Sequence, residues 1–122
     1  MKKIGPPFTH LSIPSHSRYI GSNSSKQDPD GYIKSIYELF EIYKKEYSHL
    51  ELIVNTSGWI RGPGLDILGH VLQIIQPTNI LKMESLQSGP LDISSLTVNL
   101  ASQVFTLSHN DDPSSPLSRY YF

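Results

Sequence analysis

Residues 29–83 alternate between a helical and a strand-like hydrophobic period, and this alternation constrains the fold more than any other feature of the 122-residue chain. Tyr32, Ile33, Ile36, Tyr37, Phe40, Tyr43 and Tyr47 recur at three- and four-residue steps, which predicts an amphipathic helix to about Tyr47. Asp28 stands as its N-cap, with Pro29 at the first helical position, where a missing N–H costs nothing. Lys34, Glu38, Glu41, Lys44 and Lys45 mostly fill the opposite face. Leu52-Ile53-Val54 follows as a short continuous apolar run, the pattern of a strand buried on both faces of a parallel sheet, and ends at Asn55-Thr56-Ser57-Gly58. Gly62-Pro63-Gly64 breaks the chain. Leu65, Leu68, Val71, Leu72 and Ile75 then mark a second helix, Pro77 stops it, and Asn79 to Met83 reads as the next strand. Helices alternating with buried strands imply an α/β fold with a parallel sheet and right-handed crossovers.

The flanks differ in texture. Residues 1–31 are rich in Pro, Gly and Ser and read as loops, with a short strand at Arg18-Tyr19-Ile20. Residues 84–122 are rich in Ser, Pro and Asp, with a strand-like stretch from Leu96 to Leu107. Ten Lys and Arg against eleven Asp and Glu argue against nucleic-acid binding by bulk charge, while leaving room for a local basic groove. The absence of Cys removes disulfide scaffolds, thiolate zinc sites and thiol nucleophiles together. No apolar run approaches the ~20 residues of a membrane span, and no apolar core follows Lys2 and Lys3 to make a secretory signal. The sequence is thus expected to be that of a soluble intracellular protein.

Ligands of open parallel sheets bind beyond the carboxyl ends of the strands, which here points to the loop Asn55 to Gly64 with Trp59 in it. The chain contains no Gly-x4-Gly-Lys-Ser/Thr loop, and the dinucleotide pattern fails at Ile67, where a third glycine would stand. His70, four residues after Asp66, reads as an exposed helix-face pair before a metal or acid–base group, and His109-Asn110-Asp111-Asp112 as an acidic surface turn before a cation site. The tyrosine-rich helix reads as packing before it reads as a stacking platform for RNA bases. Arg18, Lys26 and Arg61 are single basic groups that could touch phosphate, against a default of solvated surface. Thr56-Ser57-Gly58-Trp59 carries two readings side by side: a turn with a Trp packed over it, or a hydroxyl and flexible backbone placed to approach a phosphate.

Two stretches resemble a known family. One is Gly5-Pro6-Pro7-Phe8-Thr9-His10 with Tyr19-Ile20-Gly21 and Asp28-Pro29-Asp30-Gly31-Tyr32-Ile33. The other runs from Ile53 through Thr56-Ser57-Gly58-Trp59 to Leu65, with Pro77-Thr78-Asn79 beyond the helix. Together, over about residues 4–83, they are similar to the eukaryotic polynucleotide 5′-hydroxyl kinases of RNA processing, slightly closer to the nucleolar ribosomal-RNA branch than to the messenger-RNA-cleavage branch. The resemblance implies ATP-dependent transfer of a phosphoryl group to an RNA or DNA 5′-hydroxyl, with Mg²⁺, in the nucleus and specifically the nucleolus. It maps the family's Thr-x-Gly-Trp clasp, which positions the phosphoryl donor, onto Thr56, Gly58 and Trp59. In the family the phosphate-binding loop and the metal- and base-supplying aspartate lie upstream of the matched stretch. The spaced arginines of the family's lid are not reproduced in residues 84–122, where Arg119 is the only arginine.

These residues are therefore expected to form one partial kinase domain over 1–122: an incomplete P-loop-kinase-like parallel sheet with flanking helices and irregular N- and C-terminal segments. No catalytic base and no metal ligand is assigned in it. Arg18, Lys26, Arg61 and Arg119 are the candidate RNA or phosphate contacts. The expected partners are the RNA 5′-hydroxyl end, an N-terminal kinase part bearing the missing loop, and processing-complex proteins, with no membrane. Alone, the chain is expected to bind ATP poorly, to transfer no phosphoryl group and to be poorly soluble. The alternatives are a non-catalytic binding or scaffolding remnant of the same family, and an unrelated small α/β domain in which Trp59 only packs.

Overall fold

A computed structural model describes residues 14–84 and 90–108. The chain divides into two compact units, Met1–Leu52 and Ile53–Phe122.

In the first unit, α1 spans Pro29–Ile42. The Asp28 carboxylate caps it by accepting the Gly31 N–H at 2.9 Å, with Pro29 opening the first turn as the sequence predicts. That carboxylate fills the space beside Gly31, where an added Cβ would meet Asp28 Cγ at 2.7 Å, so the cap and the glycine require each other. The helix continues to Tyr47, but as a widened π-helical segment over Tyr43–Tyr47. Tyr43 at its start donates its hydroxyl to Leu50 O at 2.7 Å. The aromatic stripe packs only partly: Phe40 stacks on Tyr43 at 5.8 Å between centroids, and His16 meets Tyr47 edge-on at 5.9 Å. Segment 14–20 lies along this helix through Arg18 Nε on Glu38 Oε2 at 2.8 Å and His16 Nε2 near Glu46 Oε2 at 3.8 Å. It is not the strand expected at Arg18-Tyr19-Ile20, because side-chain ion pairs, not a backbone ladder, hold it.

In the second unit, α2 spans Pro63–Ile75, entered through Gly62 at φ 54°, a left-handed conformation that favours glycine. Its inward face, Gly64, Ile67, Gly69, Val71 and Leu72, is buried. The helix ends at Gln76, also left-handed at φ 47°, whose N–H reaches Leu72 O at 2.8 Å. Strand β1 (Asn79–Glu84) pairs in parallel with β2 (Gln103–Ser108), from Asn79 opposite Gln103 to Glu84 opposite Ser108. The crossover between them holds a single helical turn, α3 (Ser94–Thr97), whose Leu96 packs against Gly69 of α2. Ile67, Val71, Leu72 and Ile93 are the buried apolar residues among those described. No helix among the described residues is long and apolar enough to cross a membrane.

The expected parallel sheet and its strand from Asn79 are present, and the architecture is mixed α/β, consistent with part of a P-loop-kinase-like fold. Two sequence expectations fail. Leu52-Ile53-Val54 is not a strand and lies 42 %, 92 % and 43 % exposed. A short parallel strand holds only where a neighbour offers its edge; β1 and β2 pair with each other, and no described ladder reaches 52–54. The stretch Leu96 to Leu107 is not one strand either: its start is helical, set by Asp92 accepting the Ser94 N–H at 2.9 Å, and only Gln103 onward is extended. The segments Gly5 to His10 and His109 to Asp112, and Arg119, lie outside the described residues.

Candidate functional site

The loop before α2 is ordered by its own short-range chemistry. Ser57 Oγ accepts the Trp59 N–H at 3.3 Å, a hydroxyl-closed turn that brings Trp59 back toward the helix. Trp59 is half-buried, and its backbone oxygen and indole lie against Gly64 in the first turn of α2. Thr56 and Gly58 are exposed on the turn. Arg61 O accepts the Gly64 N–H at 3.1 Å, and Gly62 O accepts those of Leu65 at 2.9 Å and Asp66 at 3.4 Å. The amides opening α2 are thus turned onto the loop's own carbonyls, a geometry that closes the turn instead of leaving a bare anion-binding helix end.

Thr56, Gly58, Trp59 and Arg61 therefore share one continuous loop in the second unit. Arg61 is its single charged residue between Asn55 and Gly64 and is exposed. Arg18 and Lys26 belong to the first unit. Arg18 is engaged there by Glu38 and by Ser17 O at 3.3 Å, and the backbone N–H of Lys26 donates to Ser24 Oγ at 3.2 Å. Arg119 lies outside the described residues. His70 does not pair with the Asp66 carboxylate as its spacing suggests; its Nδ1 lies 2.8 Å from the Asp66 backbone oxygen. Among the described residues no group of three or more His, Asp or Glu could hold a metal ion.

Sequence reasoning missed a polar cluster on β1. Lys82 Nζ lies 3.1 Å from Glu84 Oε1 and 3.0 Å from Leu91 O, while Glu84 Oε1 also accepts the Leu91 N–H at 3.3 Å. The hydrogen bond from Lys82 holds the Glu84 carboxyl below its ordinary value, outweighing the opposing effect of desolvation. Alternation was the available signal, since residues two apart in a strand share a face.

Residues 4–110 match the family described as mRNA cleavage and polyadenylation factor CLP1 P-loop. Over 119 residues the chain is 35 % identical to the polynucleotide 5′-hydroxyl-kinase GRC3 of Gibberella zeae, covering 93 % of this chain and 16 % of that protein. It is 32 % identical over 114 residues to the polynucleotide 5′-hydroxyl-kinase NOL9 of Arabidopsis thaliana, covering 88 % of this chain and 29 % of that protein. Against the human NOL9 kinase the identity is 37 % over 82 residues, 67 % of this chain and 11 % of the relative. The chain thus spans less than a third of each of these relatives. No solved structure matches it.

Proposed function

The chain belongs to the mRNA cleavage and polyadenylation factor CLP1 P-loop family, and from that premise we propose that its 122 residues form the clasp-bearing part of a polynucleotide 5′-hydroxyl kinase domain. In this reading Thr56, Gly58 and Trp59 hold the phosphate side of ATP, with Arg61 beside them. The acceptor is the 5′-hydroxyl of an RNA, in ribosomal-RNA processing within the nucleus and nucleolus. Arg18, Lys26 and Arg119 contact polynucleotide phosphates; for Arg18 this means exchanging the Glu38 carboxylate for a phosphate. The partners are a kinase segment carrying the Gly-x4-Gly-Lys-Ser/Thr loop and proteins of the processing machinery.

One observation carries this reading: among the described residues nothing requires a glycine at position 58. Gly21 and Gly62 have positive φ, Gly31 makes room for the Asp28 carboxylate, Gly64 for Trp59, and Gly69 is approached by Leu96 Cδ2 at 3.1 Å. Gly58 has no positive φ, and no atom of the described residues beyond its chain neighbours lies within 4 Å of the place its Cβ would take. Glycine loses more backbone entropy on folding than alanine, by roughly 0.5–1 kcal/mol in regular structure, so an open glycine without an internal cause is accounted for by a group approaching from outside. A phosphate drawn close to bare backbone fits that space. Bound ATP would supply the phosphoryl group; this loop contributes its orientation, since phosphoryl transfer depends on placement and charge neutralisation and Arg61 is the loop's only charge.

The test is transfer of labelled γ-phosphate from ATP to a 5′-hydroxyl oligoribonucleotide. The 122-residue chain alone is expected to transfer none. A chimera in which residues 4–110 replace the matched segment of the Gibberella zeae kinase is expected to be active, and Gly58→Val in it is expected to lower turnover without unfolding it. A folded but inactive chimera overturns the kinase reading in favour of a binding or scaffolding role. Labelling by the chain alone overturns its dependence on a second segment.

A further inference from the structure

Gly64 is a helix residue that the helix does not want, because glycine early in α2 costs backbone entropy and no positive φ calls for it. It is nonetheless buried, and an added Cβ would lie 2.6 Å from both Cγ and Cδ2 of Trp59 and closer still to Trp59 O. Real side chains essentially never approach so closely, and the backbone oxygen cannot swing aside as a flexible side chain can. By contrast, a Cβ at Gly69, on the same helix, meets only the end of the Leu96 side chain at 3.1 Å.

We propose that Gly64 is the positioning residue of the clasp: its bare Cα is the seat that fixes the Trp59 backbone and indole against the first turn of α2. The geometry ties three things together. Ser57 turns the chain back through the Trp59 N–H, Gly62 opens the helix in a left-handed conformation, and Gly64 admits the returning Trp59. Gly64 itself touches no substrate; it acts through Trp59. The catalytic consequence rests on the kinase reading above, whereas the seat does not.

Trp59 is the only tryptophan of the chain, so intrinsic fluorescence and near-ultraviolet dichroism report on this position alone. Gly64→Ala in the 122-residue chain is expected to shift the emission to longer wavelength, raise acrylamide quenching severalfold and weaken the near-ultraviolet bands, with far-ultraviolet dichroism retained. Gly69→Ala, an equal change on the same helix, is expected to leave all three signals as they are. If Gly64→Ala also loses the helical signal, a double-mutant cycle with Trp59→Ala decides. The denaturation midpoint should then fall less for Gly64→Ala without the indole than with it. In the active chimera, Gly64→Ala is expected to lower kcat by about tenfold or more with little change in the KM for ATP, as misplacement of a positioning group does. An unshifted spectrum overturns the seat, and equal costs in the two backgrounds overturn the indole's part in it, since Trp59→Ala leaves the backbone oxygen in place. A shifted spectrum with unchanged kcat overturns the positioning role. An inactive parent chimera counts against the kinase reading and leaves the seat to be decided by the spectra.

Discussion

Lys82 and Glu84 stand two positions apart on β1, so the pleat places both on one face, where they meet each other and the Leu91 backbone. A carboxyl held below its ordinary value of 4.5 by that hydrogen bond contributes stability that is fully present above the ordinary value and is lost as pH falls through the depressed one. Asp92 behaves alike from an ordinary value of 3.8, held down first by the Ser94 hydroxyl at 2.6 Å and then by the Ser94 N–H. The chain is therefore expected to lose stability on acidification below about 4.5, the carboxylates protonating where their partners still want charge. Urea denaturation as a function of pH measures this, and Glu84→Gln should flatten the acid limb while lowering the neutral-pH midpoint, because Lys82 and the Leu91 N–H lose a charged partner. An acid limb as steep in Glu84→Gln as in the parent would remove Glu84 from the account.

At the scale of single elements, both long helices carry chemistry that can be cut at one position. Asp28→Ala is expected to cost about 1 kcal/mol through loss of the Gly31 N–H acceptor. In that background Gly31→Ala should turn from destabilising to stabilising, since the carboxylate no longer occupies the Cβ space and alanine is the better helix former by roughly 1 kcal/mol. Gln76 ends α2 in a left-handed conformation that costs a side-chain-bearing residue roughly 1 kcal/mol, so Gln76→Gly is expected to raise the denaturation midpoint. The same two helices show how far the sequence can be read. Asp28-Pro29 gave the start of α1, and the stripe from Leu65 to Ile75 with Pro77 gave the body and stop of α2, but α2 already begins at Pro63, inside the stretch read as a break. Leu52-Ile53-Val54 has equally strong local character and is not a strand, because pairing is a property of two segments and composition specifies only one. At the candidate site the loop itself was legible from its polar residues and glycines. The Trp59–Gly64 approach was not, since a glycine in a sequence does not say whether it serves a backbone angle, an internal neighbour or an outside ligand.

At the scale of the whole molecule, burial is unevenly shared. Among the described residues the buried apolar ones, Ile67, Val71, Leu72 and Ile93, all lie in the second unit, while α1 in the first has no buried residue and is held by half-buried aromatics and ion pairs. Surface ion pairs of that kind are worth about 0–1 kcal/mol each, so amide hydrogen exchange is expected to show protection in α2 that exceeds that in α1. The sheet raises a different issue. The parallel register sets Leu81 beside Phe105 and Met83 beside Leu107 on one face, and these side chains are 57 %, 50 %, 63 % and 56 % exposed. Asn79 and Gln103 extend that face without adding a charge, and the whole chain carries a net charge of only −1. An uncharged apolar strip on a two-stranded sheet, with little overall repulsion between molecules, favours association through that strip. The isolated chain is therefore expected to self-associate with rising concentration, as sedimentation velocity or light scattering would record. Leu81→Thr with Phe105→Thr keeps strand propensity while removing apolar area from the strip, so it should shift the distribution toward monomer without loss of the strand signal. Salt separates this cause from a charge-driven one: association through an apolar strip persists or strengthens as ionic strength rises, whereas association through the surface ion-pairing groups weakens. A parent chain that stays monomeric throughout the soluble range would show instead that the strip is covered in solution.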